Sequence, residues 1–267
     1  MKLISHWREY VAEAMALGIF MISAALFTTI LEHYRSPLPS LVPDSFTRRA
    51  LMGVAMGLTA VGLIYSPWGR RSGAHFNPAT TLTFWRLGKI APADAALYAL
   101  AQSAGGIAGV LVAAALVGPP LGAPDVLYVA TLPGAVGPAG AFVAEVAIAF
   151  GLMSVVLRAS NTPRLARFTG LFAGALVAAY ITLEAPLSGM SMNPARSLAS
   201  ALPARTWPTL WIYVLAPPLG MLLAAELYVR RRGLAAVFCA KLHHDTSHRC
   251  IFHCRFAELA PAQGASS

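Results

Sequence analysis

Side chains able to bind or steer a polar solute are few in this chain, and most of them recur in pairs. Ser72-Gly73-Ala74-His75-Phe76-Asn77-Pro78-Ala79 and Ser188-Gly189-Met190-Ser191-Met192-Asn193-Pro194-Ala195 share Ser-Gly, Asn-Pro-Ala and a following Leu82 or Leu198 at one spacing. Asn before Pro is an N-cap ahead of a first-turn proline, so each copy predicts a short helix starting at Pro78 or Pro194. The cap uses the side-chain oxygen and leaves amide N–H groups as donors. One copy would be an ordinary turn or cap; two in one frame favour a joint role. Helix N-termini carry partial positive charge, so two tips facing each other would repel cations and orient water.

The acids recur too. Glu13 and Glu145 sit inside apolar runs, where a carboxylate is expensive and must find donors. The nearest candidates are the exposed N–H groups of the broken loop in the same half. Gln102-x-x-Gly105 is answered by Pro217-x-x-Gly220. Arg196, three residues after Asn193, must face water and backbone carbonyls; a rim salt bridge would need an acid, and Glu184 is the candidate in the preceding segment.

A third set lies in the tail. Cys239 and His243 are four apart, as are Cys250 and Cys254, which predicts each pair on one face of a helix. A turn at Asp245-Thr246-Ser247 would bring them together as Cys₃His, a composition of closed structural zinc sites, with His244, His248 and His253 as spare ligands. The other reading is a reduced tail that packs its Cys and Phe residues on the bundle or the bilayer surface.

Membrane-spanning helices must position these residues. The 267 residues are 57% hydrophobic and 12% charged, where a soluble domain carries about a quarter charged. Apolar runs near the ~20 residues a crossing needs fall at 9–31, 50–66, 92–117, 138–158, 167–185 and 208–229. The runs after Pro78 and Pro194 fade at Arg86 and Pro203, too soon to cross, and predict half-helices meeting at mid-membrane. Three crossings and a half-helix, repeated, form an odd unit, so the second half (138–230) is inverted relative to the first (9–117). Gly53, Ala55 and Gly57 in the second run, and Gly170, Ala173, Gly174 and Ala175 in the fifth, suit close helix packing.

The net charge of +9 does not indicate nucleic acid, because the basic residues follow topology. They gather at the N-terminus, around the first Asn-Pro-Ala loop, after the fourth run and in the tail, while Gly118 to Gly137 holds no Lys or Arg. That places both termini in the cytoplasm. The first run contains Glu13 and no convincing cleavage site, so it is expected to be retained. The three cysteines all lie in the tail and imply no disulfide framework.

With these residues on the page, the chain resembles the major intrinsic protein family, the aquaporins and glycerol facilitators. The matching residues are Ser72-Gly73 through Ala79, Ser188-Gly189 through Arg196, Glu13, Glu145, Gln102 and Pro217, within residues 9 to 230. The resemblance implies an all-α membrane protein of six transmembrane helices and two re-entrant half-helices around a central pore. It further implies a homotetramer in the lipid bilayer, passing water or small uncharged solutes and needing no cofactor for transport. Carried over by alignment, the outer constriction falls on Arg196, Met190, Ile181 and Met56, and the resemblance puts His75, two before Asn77, in the cytoplasmic vestibule, the alternative being a packing histidine. Water-selective relatives hold a histidine at the Ile181 position and an aromatic at the Met56 position; here the filter is apolar, which favours solutes with a CH backbone. Ser197 matches the water-channel pattern and Tyr213-Val214 matches neither, so the substrate stays open between water, glycerol-like solutes and hydrogen peroxide.

The expected domains are a channel at 1–230 and a cytoplasmic Cys/His tail at 231–267, in the plasma membrane. A secondary transporter would need an intramembrane ion site, and Glu13 and Glu145 are better used as loop anchors. No catalytic set or His-Glu-x-x-His motif supports an enzyme. The second reading is a membrane-anchored metal or redox sensor that uses the fold as a platform.

Overall fold

The computed structural model describes residues 6–244 and 250–258. Six helices are long and apolar enough to cross a membrane. They are α1 (Trp7–Glu32), α2 (Ser45–Tyr65), α4 (Pro92–Val117), α5 (Gly137–Ser160), α6 (Ala166–Leu183) and α8 (Trp207–Arg232), the last two each opening on a 3-10 turn, with α3 (Pro78–Arg86) and α7 (Pro194–Ala204) between them. The nine and eleven residues of α3 and α7 make about 14 and 17 Å of helix, roughly half the hydrocarbon thickness. Each half-helix begins as the Asn-Pro pair dictates. Asn77 Oδ1 accepts from Ala79 N at 2.8 Å, and Asn193 Oδ1 accepts from Ala195 N and Arg196 N at 3.1 and 3.2 Å. Asp44 caps α2 by accepting from Thr47 N at 2.8 Å.

The long helices expose large apolar side chains on their outer faces, Val11, Ile19 and Ile30 of α1 and Leu100, Leu111 and Leu116 of α4 among them. An apolar exterior with a small-residue interior is the pattern for lipid on one side and close helix contact on the other. Within each half, α1 packs on α4 and α5 on α8; α2 packs on α6 where the halves meet. Glycines set the approach at all three seams. A Cβ on Gly57 would lie 2.6 Å from the carbonyl oxygen of Gly174, and one on Gly105 or Gly220 would strike the carbonyl of Ala14 or Val146. Gly105→Val is therefore expected to force α1 from α4 and lower the yield of folded protein severalfold, read by size-exclusion in detergent. A variant that elutes like the parent would show that the seam can open without loss.

The start of α1 and the tail lie on one face of the bundle: Glu9 pairs with Arg71 at 3.1 Å, and Lys241 Nζ donates to Arg70 O at 2.7 Å. The tail differs from its expected helical form. Residues 237–244 and 250–255 hold no helix, and short 3-10 turns flank them at Leu234–Ala236 and Phe256–Glu258. A segment so rich in His, Cys and Ser, with no apolar stripe at helical spacing, gains too little from helix packing to offset the cost of nucleation.

Candidate functional site

The two broken loops adopt one geometry. Gly73 and Gly189 turn with φ of +98° and +82°, and Ala74, Phe76, Met190 and Met192 are held at φ between +48° and +59°. Side-chain-bearing residues reach that region at a cost of roughly 1–2 kcal/mol each, so something must hold the backbone there. In the first half it is Glu13, fully buried in α1, which accepts from Ser72 Oγ at 2.6 Å, His75 N at 3.1 Å, Phe76 N at 2.7 Å and Gln102 Nε2 at 2.7 Å. In the second it is Glu145, fully buried in α5, which accepts from Ser188 Oγ at 2.8 Å, Ser191 N at 2.6 Å and Met192 N at 2.7 Å. A hydroxyl from the last long helix of each half completes the symmetry: Tyr98 donates to Ser72 O at 2.7 Å and Tyr213 to Ser188 O at 2.6 Å.

The loops also grip each other. Asn77 Nδ2 donates to Met192 O at 2.6 Å, and Asn193 Nδ2 donates to Phe76 O at 2.7 Å. One amide hydrogen of each asparagine is used in this cross-brace, so one remains for a solute. Both asparagines stand in the wall of a cavity of about 370 Å³ that runs the length of the bundle. At one end it meets Leu31 and Glu32, where α1 finishes, and Arg49, where α2 starts; at the other it meets Ile64, Val156 and Leu242. Arg196, Met190, Ile181 and Met56 line the first half of it and His75 the second, with Met52 one turn from Met56 as a further apolar wall.

The half-buried Arg196 guanidinium donates to Thr131 Oγ1, and Thr131 in turn shares a hydrogen bond with Ser197 Oγ at 2.9 Å. Thr131 was not singled out from the sequence. It sits in a Gly- and Pro-rich connector, and only the fold carries that loop down onto the second half-helix. Among the described residues Arg196 makes no ion pair.

The profile of the family described as "Major intrinsic protein" matches residues 1–228. The chain belongs to the major intrinsic protein family. "Aquaporin NIP1-4" of Oryza sativa subsp. japonica is 35% identical over 178 residues, 66% of this chain and 63% of that protein, so the match spans less than two thirds of that relative's length. "Aquaporin NIP2-3" of Zea mays is 32% identical over 256 residues, 93% of this chain and 81% of that protein. A solved structure titled "X-ray structure of the aquaglyceroporin from Plasmodium falciparum" superposes with a TM-score of 0.68, covering 84% of this chain and 95% of that one at 20% identity, and shares the fold. The residues after 228 lie outside the family match.

That outlying tail brings together Cys239, Cys250, Cys254 and His244, with one ligand atom of each within 4.8 Å of the others. The expected ligand His243 is not in the set. Its ring packs edge-on against Tyr65, centroids 4.8 Å apart, and its neighbour His244 turns inward instead. Without a helical turn nothing stacks residue i+4 over residue i, so a four-residue spacing no longer puts His243 beside Cys239. His253 Nδ1 meets Gly88 O at 2.8 Å, and Asp245 to His248 fall outside the described residues. The thiols are electrically uneven: hydrogen bonding from Cys239 brings Cys250 down to about 4 and Cys254 to about 6, while Cys239 itself is pushed up.

Proposed function

We propose that this major intrinsic protein is a passive pore for water and small uncharged solutes. The reading is carried by one observation: two Asn-capped half-helices meet tip to tip in the wall of a cavity that runs the length of the bundle. Facing N-termini put two partial positive charges at mid-pore, and each asparagine offers an amide hydrogen to the oxygen of a passing molecule. A water whose oxygen accepts from both asparagines accepts from neither neighbouring water, which breaks the proton wire, and cations meet a positive field; aquaporin-type pores are the standard example of such exclusion. Arg196 supplies a full charge at the narrow outer part, and Glu13, Gln102 and Glu145 keep the loops in their strained shape. His75 lines the cytoplasmic half. Both termini are assigned to the cytoplasm on the distribution of Lys and Arg, and the chain to a plasma-membrane homotetramer on family grounds.

Met56, Ile181 and Met190 form an apolar filter in this reading, with Arg196 as its main donor, so glycerol-like solutes and hydrogen peroxide are expected to pass along with water. Converting Ile181→His together with Met56→Phe adds a polar group and an aromatic edge. Glycerol flux through proteoliposomes should fall roughly tenfold or more, the effect of a few lost apolar contacts, while water flux changes far less. Stopped-flow swelling with water, glycerol, urea and peroxide in parallel checks this, and equal losses for all solutes would remove these residues from the filter.

A further inference from the structure

The tail does not hang free of the pore. Val237, Cys239, Ala240, Leu242 and Phe252 are buried in one apolar cluster with Ile64, Ala74, Ala79 and Val156 of the bundle. Leu242 N donates to Gly73 O at 3.0 Å, His75 Nε2 to Ala240 O at 2.8 Å, and His253 N to Lys89 O at 2.9 Å. The Phe252 ring stacks on His75, centroids 5.4 Å apart. Leu242 thereby becomes part of the cavity wall at its tail end. An apolar plug at the mouth of a pore is a barrier to water through dewetting.

What holds so short a segment in place is the question the cysteines answer. Tetrahedral zinc with bonds of about 2.3 Å to sulfur and 2.0–2.1 Å to nitrogen places its ligand atoms about 3.3–3.8 Å apart. Cys239 Sγ and Cys250 Sγ are 3.6 Å apart, within that range, whereas His244 Nε2 and Cys254 Sγ, 3.1 Å apart at hydrogen-bonding distance, would have to separate slightly to admit the ion. Cys254 Sγ also receives the backbone N–H of Phe256, two residues further on, at 3.4 Å. An N–H···S bond stabilises a thiolate, the form that binds metal. The His244 ring lies flat on Phe256 at 4.1 Å, which fixes the direction of Nε2. Lys89 and Lys241 supply positive charge near a site that three thiolates and a divalent ion would leave at minus one. A Cys239–Cys250 disulfide would use two of the four donors and leave Cys254 and His244 without a task.

We propose that Cys239, His244, Cys250 and Cys254 bind one thiophilic divalent ion of the zinc class, and that this ion locks residues 237–244 and 250–256 over the cytoplasmic mouth as a closed gate. The gating half rests on the channel reading above; the metal half does not. Binding converts three thiols to thiolates and releases their protons to solvent. Loss of the ion removes the cross-link between the 237–244 and 250–256 segments, and the plug leaves the mouth.

The test uses full-length protein purified without a His-tag under reducing conditions. Elemental analysis should give close to one zinc per chain, falling below about a tenth in Cys254→Ser and in His244→Ala. In proteoliposomes, a membrane-permeant zinc chelator should raise water permeability severalfold in the parent, reversibly on adding zinc, and do nothing to Cys254→Ser, which should already be permeable. Leu242→Ala, outside the ligand set, should keep its zinc and still leak. Hydrogen exchange at Ala74 and Leu242 should speed up when the ion is removed. Less than a tenth of an equivalent of metal in the parent, or two thiols lost to a disulfide in its place, overturns the site. Full zinc with flux and exchange indifferent to the chelator overturns the gate. Zinc-dependent exchange with no flux in any form, Leu242→Ala included, overturns the channel reading and leaves the metal site standing.

Discussion

Replacing Arg196 by valine is expected to raise proton conductance through the pore about tenfold or more while leaving water flux intact or higher. A unit charge about 4 Å from a permeating cation contributes ~4 kcal/mol at an effective dielectric of 20, and less than half of that is already a factor of ten. The variant should fold. Arg196 donates to Thr131, whose hydroxyl keeps its partner Ser197, so no buried donor or acceptor is orphaned. The measurement is the internal pH of proteoliposomes after an external pH step, with osmotic swelling on the same batch. Because the tail gate would mask a leak, the comparison is made in chelator as well as without it. A valine variant no leakier to protons than the parent in both conditions would leave ion exclusion to the half-helix dipoles alone.

Replacing Glu145 by leucine should have a large structural effect. Its carboxylate takes three donors, two of them backbone N–H groups in the strained stretch from Gly189 to Met192. Each N–H left unpaired in the interior costs ~1–3 kcal/mol, and nothing then holds Met190 and Met192 at positive φ. The sum is a large part of the ~5–15 kcal/mol that keeps a domain folded. Folded yield in detergent should collapse and flux should vanish. Glu145→Gln keeps one good acceptor oxygen and should lie between parent and leucine. A leucine variant unfolding within about 3 °C of the parent would mean that the loop holds its shape without the acid.

The six crossings and two half-helices were legible in the sequence because they are local properties. The length of an apolar run decides whether a helix can cross, and an Asn-Pro pair starts a helix wherever it stands. The inverted repeat followed from counting. Glu13, Glu145, Asn77 and Asn193 stood out as repeated pairs of polar residues in lipid-like sequence, where few other donors and acceptors compete. Their partners were another matter. The cross-brace from each asparagine to the carbonyl before the opposite cap, and the contact of Thr131 with Arg196, join residues more than sixty positions apart. No spacing rule reaches that far. In the tail, composition alone pointed to a Cys₃His set, but the choice of His244 over His243 depends on the path of a non-helical chain, and that path is fixed by where Leu242, Phe252 and Ala240 dock. Sequence by itself determined what could be built at each position within a helix or a loop; the tertiary structure decided which distant groups meet, because burial in a shared core, and not local propensity, is what pins an irregular segment to one place.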